Sequence, residues 1–328
     1  MALFVAASDL IVLFLGLEWF SISLYILCAV TPERTRSLEA SLKYLIVGGF
    51  GSAVLLFGAA LVYGASGQLG FAEIGLAGPG SDRLLLVTGL AMLLVGLAFK
   101  VSAAPFHMWT PDVYQGAPTP VTGFMAAATK ASALVVALRL LTEAFPGEAT
   151  LWTITLAVLS VASLAVGNLG ALVQRDLKRL LAYSSVSHAG FLLMPVAAGN
   201  ALGGRALLYY LIPYAALSVG SFAVVAARER ELGRPVTIEG MSGLGWERPV
   251  HGAAMATFML GFIGLPPTGL FLGKFYAFSA LYERGFTWLM IIGAVFTAVS
   301  VAYYLGVVRA IYARPALAAA PAGGSPPR

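Results

Sequence analysis

Lys130 stands in a stretch with no Asp, Glu, Lys or Arg from Val113 to Thr129 before it and none from Ala131 to Leu138 after it. An ammonium near a bilayer centre costs roughly 2.5–3.5 kcal/mol even on lenient insertion scales, so such a group by default faces a protein interior or a water path. Glu18, Lys43, Lys100, His188 and Lys274 interrupt long apolar runs in the same way. The chemistry this set can do is proton or cation transfer. In water a lysine keeps its proton up to about pH 10.4. Held away from water, a titratable group loses hydration of its charged form, and its ionisation then follows the charge on its neighbour. A relay Glu18–Lys43–Lys100–Lys130–His188–Lys274, bridged by ordered water, would pass protons sideways through the slab.

Each member also has a purely structural reading. Lys43 lies near the end of its segment and has a stem long enough to snorkel to the interface; its claim to the row rests on pairing with Glu18. A buried histidine is commonly held by a backbone carbonyl, which applies to His188 and to His107. Lys178, Arg179, His251 and the arginine-rich loops read as surface groups.

The elements that position this row are membrane helices. The 328 residues are 59% hydrophobic and only 11% charged, against about 25% charged in soluble domains, and mean hydropathy is +0.87. Charge-free runs such as Ala149–Gln174 and Gly252–Gly273 exceed the roughly 20 residues needed to span the hydrocarbon core. They lack the apolar–polar alternation of a β-barrel. The fold class expected is all-α, a polytopic bundle with spanning segments near 8–30, 38–64, 84–114, 119–142, 150–173, 178–200, 203–228, 250–283 and 285–313. Ten residues into the first segment, Glu18 is about 15 Å deep at 1.5 Å per residue. Lys130 and His188 come out at similar depth.

Basic residues divide the loops. Arg34, Arg36, Arg175, Arg230, Arg234 and Arg248 fall on one side, with little beyond Arg83, Arg139, Arg205 and Arg284 on the other. The first side is read as cytoplasmic, which puts the C-terminal tail inside the cell. A multi-pass protein of the plasma membrane is expected, with the bilayer as its surroundings and the net charge of +5 serving topology rather than nucleic acid. Met1–Ala7 is apolar but too short to span, like the last turns of a preceding helix, and no cleavable leader is visible. The Pro/Gly/Ala-rich stretch 314–328 reads as a disordered tail.

Two segments carry helix breakers beside a lysine. Lys100 lies five residues before Pro105, and Pro266–Pro267 lies seven residues before Lys274. Proline inside a helix removes a backbone hydrogen bond and forces a kink or gap, tolerated at membrane depth only against protein or a cavity. The two segments are five apart in the helix count, so they insert in opposite senses, the pattern of inverted repeats with discontinuous helices. The repeats expected are residues 1–142, N-terminally incomplete, and 143–313. Several chemistries are missing: no nucleotide-binding glycine motif, no HExxH and no CxxC. The single cysteine, Cys28, makes no disulfide or iron–sulfur framework. No metal and no cofactor is expected on the chain, and the driving energy must come from elsewhere.

The stretches FLGLEWFSISLYIL, EASLKYLIVGGFGSAVLLFGAALVYG and GLAFKVSAAPFHMWTPDVYQGAPTPVTGFMAAATK, followed by DLKRLLAYSSVSHAGF and GFIGLPPTGLFLGKFYAF, resemble the antiporter-like subunits of bacterial complex I, above all the subunit N family. The resemblance covers residues 5–313. It implies two inverted repeats, each with a broken helix, and proton pumping in the membrane arm of NADH–quinone oxidoreductase. It also implies other membrane-arm subunits as partners, and NADH and quinone handled by other subunits, with no direct NADH binding here. By the same resemblance Glu18 and Lys43 are paired charges, Lys100 belongs to the broken helix, Lys130 is the central lysine and Lys274 the exit-side lysine. Members of this family carry further helices before and after those present here. Subunits of multi-subunit sodium/proton antiporters and membrane-bound hydrogenases share the broken-helix blocks and are the alternative.

Overall fold

The structure, a computed structural model, describes residues 1–78 and 82–313. Among them it is built of α1 (Ala2–Val5), α2 (Leu10–Cys28), α3 (Thr35–Ser66), α4 (Phe71–Ala77), α5 (Arg83–Lys100), α6 (Trp109–Gly116), α7 (Thr119–Phe124), α8 (Lys130–Ala144), α9 (Ala149–Leu172), α10 (Leu177–Ala198), α11 (Ala201–Leu232), α12 (Leu244–Glu247), α13 (Pro249–Ile263), α14 (Gly269–Arg284) and α15 (Thr287–Ala313). Helix is the form in which such apolar runs satisfy every backbone polar group internally. Short polar caps start α2, α5, α10 and α11. Asp9 accepts from the amides of Ile11 and Val12, Asp82 from Leu85, Asp176 from Arg179 and Asn200 from Gly203. Each satisfies amides that have no partner inside their own helix.

Eight stretches are long and apolar enough to cross a bilayer, α7 and α8 counting as one because a π-helical turn, Met125–Thr129, joins them. The expected eighth crossing is made instead from two shorter helices, α13 and α14. The third is likewise divided into α5 and α6, with residues 101–108 non-helical between them. Ser102, in that gap, takes φ +62°, a conformation costly for a residue other than glycine. The short α4 and the π turn before Lys130 were not foreseen from the hydropathy pattern. The tail 314–328 lies outside the described residues.

The chain repeats its own construction. Isolated antiparallel bridges join Asp9 to Gly70 and Asp176 to Thr237, so both partners are displaced by the same 167 residues (9 to 176, 70 to 237). Each aspartate caps the helix that follows it, α2 or α10, and the next helix in each half, α3 or α11, is 32 residues long. The series α2, α3, α5–α6, α7–α8 thus parallels α10, α11, α13–α14, α15. Before α10 the second series has a full helix, α9, packed on α10 and α15. In the corresponding place the first has only α1, packed on α2 and α8.

Close crossings depend on glycine. A Cβ on Gly58 would sit 2.8 Å from the Gly89 carbonyl oxygen, and one on Gly89 2.8 Å from that of Gly58, so α3 and α5 touch backbone to backbone. The GGFG at 48–51 serves a similar purpose, with Gly48 against Tyr25 and Gly51 against Phe99. At the centre α10 is enclosed by α6, α8, α9, α11 and α14 and buried almost along its length.

Candidate functional site: a buried lysine row

Lys100, Lys130, His188 and Lys274 are buried, at 2%, 0%, 2% and 4% exposure. Lys100 is the last residue of α5. Its ammonium donates to Ser21 Oγ on α2 at 2.8 Å and lies 5.6–5.9 Å from the ring centres of Phe20, Tyr25, Tyr44 and Phe99. Those ring faces attract a cation. Glu18, one turn from Ser21 on α2, does not form an ion pair with it; its carboxylate accepts from Ser52 on α3.

Lys130 follows the π turn, a device that shifts a side chain out of the ordinary α-helical register and frequently marks functional sites. Its ammonium donates to the carbonyl of Ser185 on α10. From there polar groups follow one another. Ser185 Oγ and Tyr214 OH are 3.0 Å apart, and the His188 ring is 5.2 Å from those of Tyr214 and Phe262. His188 bonds Tyr210 OH through Nδ1 at 2.9 Å and Tyr304 OH through Nε2 at 3.1 Å. Tyr304 in turn meets Ser184. A small cavity between α10, α11, α13 and the π turn is lined by Ser184, Ser185, Tyr214, Ser218 and Ser221 and by the apolar Ala126, Leu181, Phe222 and Phe262.

Lys274 reaches back from α14 across the break. Its ammonium donates to the Ile263 carbonyl at 2.9 Å and to Thr297 Oγ1 at 3.3 Å, with the Phe262 carbonyl at 3.5 Å. It also stands 4.2 Å from the centre of the Phe191 ring. The carbonyls belong to the last turn of α13, where orphan acceptors and the negative end of the helix dipole favour a cation. Gly264, at φ +81°, ends α13 and lets the Lys274 stem pass where a Cβ would come within 3.2 Å of Cδ.

Four buried hydroxyls of the first half have no hydrogen-bond partner: Tyr25 OH, whose ring lies beside the Lys100 ammonium, Ser102 Oγ, Thr110 Oγ1 and Tyr114 OH. Tyr114 faces Ser185 and Tyr214, while its ring packs on Trp109, which packs on Phe99 and Tyr44 around Lys100. Buried polar atoms of this kind ordinarily bind water.

Lys43 does not join the row, and the expected pairing with Glu18 is not formed. Its ammonium binds Glu39 at 2.8 Å and Asp112 at 3.0 Å, with the side chain 45% exposed. The antiparallel register of α2 and α3 explains this. Ser52, which meets Glu18, is nine residues beyond Lys43, about 14 Å along the axis. Asp112 also binds Arg179 at 2.7 Å, so these charges form an interfacial cluster at one end of the bundle.

Lys178, read from sequence as a surface group, is only 5% exposed and donates to the Ala117 carbonyl at 2.7 Å. The signal missed was its place in the first turn of a helix enclosed on all sides. Pro105 is exposed and lies in the first gap, and Pro266 and Pro267 lie within the second, the non-helical stretches expected of them. Among the described residues no group of three or more His, Cys, Asp or Glu is arranged to hold a metal ion.

Residues 7–300 match the family described as NADH:quinone oxidoreductase/Mrp antiporter, TM. The chain belongs to this family. It is 44% identical to NADH-quinone oxidoreductase subunit N of Trichlorobacter lovleyi over 319 residues, 96% of this chain and 65% of that protein. To subunit N of Salinibacter ruber it is 45% identical over 307 residues, 92% and 61%. The chain therefore spans a little under two thirds of these relatives' length. Among solved structures it is similar to a chain of respiratory complex I from Thermus thermophilus with bound aureothin, with TM-score 0.84 and 40% identity over 98% of this chain and 70% of that one. A chain of the archaeal membrane-bound sulfane sulfur reductase gives TM-score 0.87 at 28% identity, covering 94% and 63%. The Mrp complex of Dietzia sp. DQ12-45-1b shares the fold, with TM-score 0.86 at 24% identity over 93% and 57%.

Proposed function

We propose that this chain is a proton-translocating membrane-arm subunit of an NADH–quinone oxidoreductase, working beside other membrane-arm subunits in the plasma membrane with its C-terminal end cytoplasmic. The observation that carries the reading is the succession of buried polar groups between two buried lysines: Lys130 on the Ser185 carbonyl, Ser185 Oγ on Tyr214, then His188 with Tyr210 and Tyr304, whose ring packs on Phe262 next to the Ile263 carbonyl that holds Lys274. Among the described residues none of Lys100, Lys130 and Lys274 has a carboxylate within 4 Å. An unpaired buried ammonium is costly, and that suits a group which must change its charge in each cycle; a permanent ion pair would lock it.

In this reading Lys130 exchanges a proton with Lys100 across the stretch of unpartnered hydroxyls, and with Lys274 through His188 and its tyrosines. Glu18, hydrogen-bonded beside Ser21's helix turn, biases Lys100. Residues 1–142 and 143–313 act as two inverted repeats around Lys130. NADH and quinone react in other subunits, and this chain supplies only charge movement. In the assembled complex, Lys130→Ala is expected to abolish most NADH-driven proton pumping, measured by dye quenching in inverted vesicles, while NADH oxidation with a soluble acceptor continues. Unchanged pumping defeats the relay. The family also contains Mrp antiporters, so sodium-dependent proton exchange without NADH would assign the chain to that branch.

A further inference from the structure

A groove of about 780 Å³, away from the lysine row, opens at the basic end of the bundle, between the start of α3, the α6–α7 turn, the first turn of α10 and the end of α11. Its polar lining is one-sided. Arg34, Arg36, Arg230, Arg234 and Lys178 face it, against the single carboxylate of Glu229, which already accepts from Thr119. The four arginines are exposed, and among the described residues none of them makes an ion pair. At the floor Lys178 is 5% exposed and uses one donor on Ala117. The start of the 32-residue α3 also lines the groove without a side-chain cap, so its first amides add positive potential.

Directly below, the lining changes character. Pro120, on the groove wall, is followed one helical turn later by Phe124, and both are exposed. α7 packs on α11 and touches α2, so this outward apolar strip leads from the cationic groove toward the bilayer core. A soluble anion satisfies only the upper half of such a site. A molecule with a negative head and an apolar tail satisfies both. Basic pockets at helix ends bind anionic lipid head groups on these terms.

We infer that this groove seats the head group of an anionic phospholipid from the adjoining leaflet, its phosphate among Arg34, Arg230 and Arg234 and an acyl chain along Phe124. The site is independent of the proton relay and stands if that reading fails.

The test is native mass spectrometry of the full chain released from neutral detergent, equilibrated with equal phosphatidylglycerol and phosphatidylcholine of matched chains. The wild type is expected to retain one phosphatidylglycerol in preference. In Arg34→Gln/Arg230→Gln/Arg234→Gln the preference falls by at least about tenfold, and Arg→Lys at the same positions restores it. Phe124→Ser weakens retention without changing head-group preference. Because the arginines are exposed and unpaired, circular dichroism should show the variants folded; Phe124→Ser gives a second reading that leaves every arginine in place. Equal retention of both lipids by the wild type overturns the inference, as does a preference that survives the triple substitution. Full displacement of the lipid by millimolar inorganic phosphate makes the groove a soluble-anion site instead. Loss of a neighbouring subunit from the assembled complex on triple substitution, with lipid retention unchanged, makes it a protein interface.

Discussion

The two broken crossings place a lysine at membrane depth with opposite polarity. Lys100 ends the helix before its gap, whereas Lys274 lies on the helix after its gap and reaches back to the one before. The consequence is in the acceptors. Lys274 is tied to backbone carbonyls of α13 that cannot rotate away, and with Gly264 it closes the end of that helix. Lys100 has one rotatable hydroxyl, Ser21, and a box of rings. The internal displacement of 167 residues sharpens the contrast. It carries Ser21 onto His188 and Lys130 onto Thr297, the side chain that Lys274 touches. Equivalent positions have thus been given a hydroxyl in one half and an imidazole in the other. The difference teaches that the second half holds its lysine as part of the architecture, and the first holds its lysine loosely enough to let go.

The largest effect that separates the halves is expected from Lys274→Met against Lys100→Met, which keep chain length and remove charge. Both should cut NADH-driven pumping, roughly 100-fold if each supplies a positioned proton-transfer group. Only Lys274→Met should also lower the amount of folded protein in the membrane, because the α13 carbonyls lose their donor and a buried unsatisfied acceptor costs about 1–3 kcal/mol. Quantitative immunoblots of the membrane fraction, read beside pumping, check this. Equal accumulation of the two variants removes the architectural half of the comparison.

A smaller effect is expected one step out, at the paired positions Ser21 and His188. His188→Gln keeps hydrogen-bonding capacity toward Tyr210 and Tyr304 but cannot take up a proton, so pumping should fall about tenfold or more with protein level unchanged. Ser21→Ala leaves the Lys100 ammonium with rings alone. It should slow pumping less than His188→Gln does and lower stability by about 1–3 kcal/mol, visible as a lower midpoint in thermal unfolding of the solubilised complex. A Ser21→Ala variant that pumps worse than His188→Gln reverses the ordering and makes the first half the stringent one.

Much of this arrangement was legible beforehand because the bilayer makes each exception costly. Lys100, Lys130 and Lys274 stand out against apolar runs, and Pro105 and Pro266–Pro267 mark the gaps, all without knowledge of any contact. What could not be read was register. Whether Lys43 meets Glu18 depends on how far α3 slides along α2, and hydropathy is blind to that. Tyr25, Tyr44, Tyr114, Tyr210 and Tyr304 look like ordinary membrane aromatics in sequence; only packing sets them around the buried lysines and His188. Lys178 illustrates the converse error. Two residues from a loop it resembles a topology signal, yet α10 is so enclosed that even its first turn is interior.

The smallest effect should come from Lys43, and it tests the boundary of the row. Its partners Glu39 and Asp112 are solvent-accessible, Asp112 keeps Arg179 when Lys43 is removed, and exposed ion pairs contribute roughly 0–1 kcal/mol. Lys43→Gln should therefore leave stability nearly unchanged and pumping within about twofold of the wild type. Replacing both Lys43 and Arg179 strands Asp112 and should have a larger effect than the two single changes together, since groups sharing a partner are not additive. If Lys43→Gln alone stops pumping as Lys100→Met does, then Lys43 must leave Asp112 during turnover and swing about 14 Å along α3 toward Glu18. That distance exceeds the reach of its side chain, so the result would require α3 itself to shift against α2, and the loosely held half of the molecule would be the half that moves.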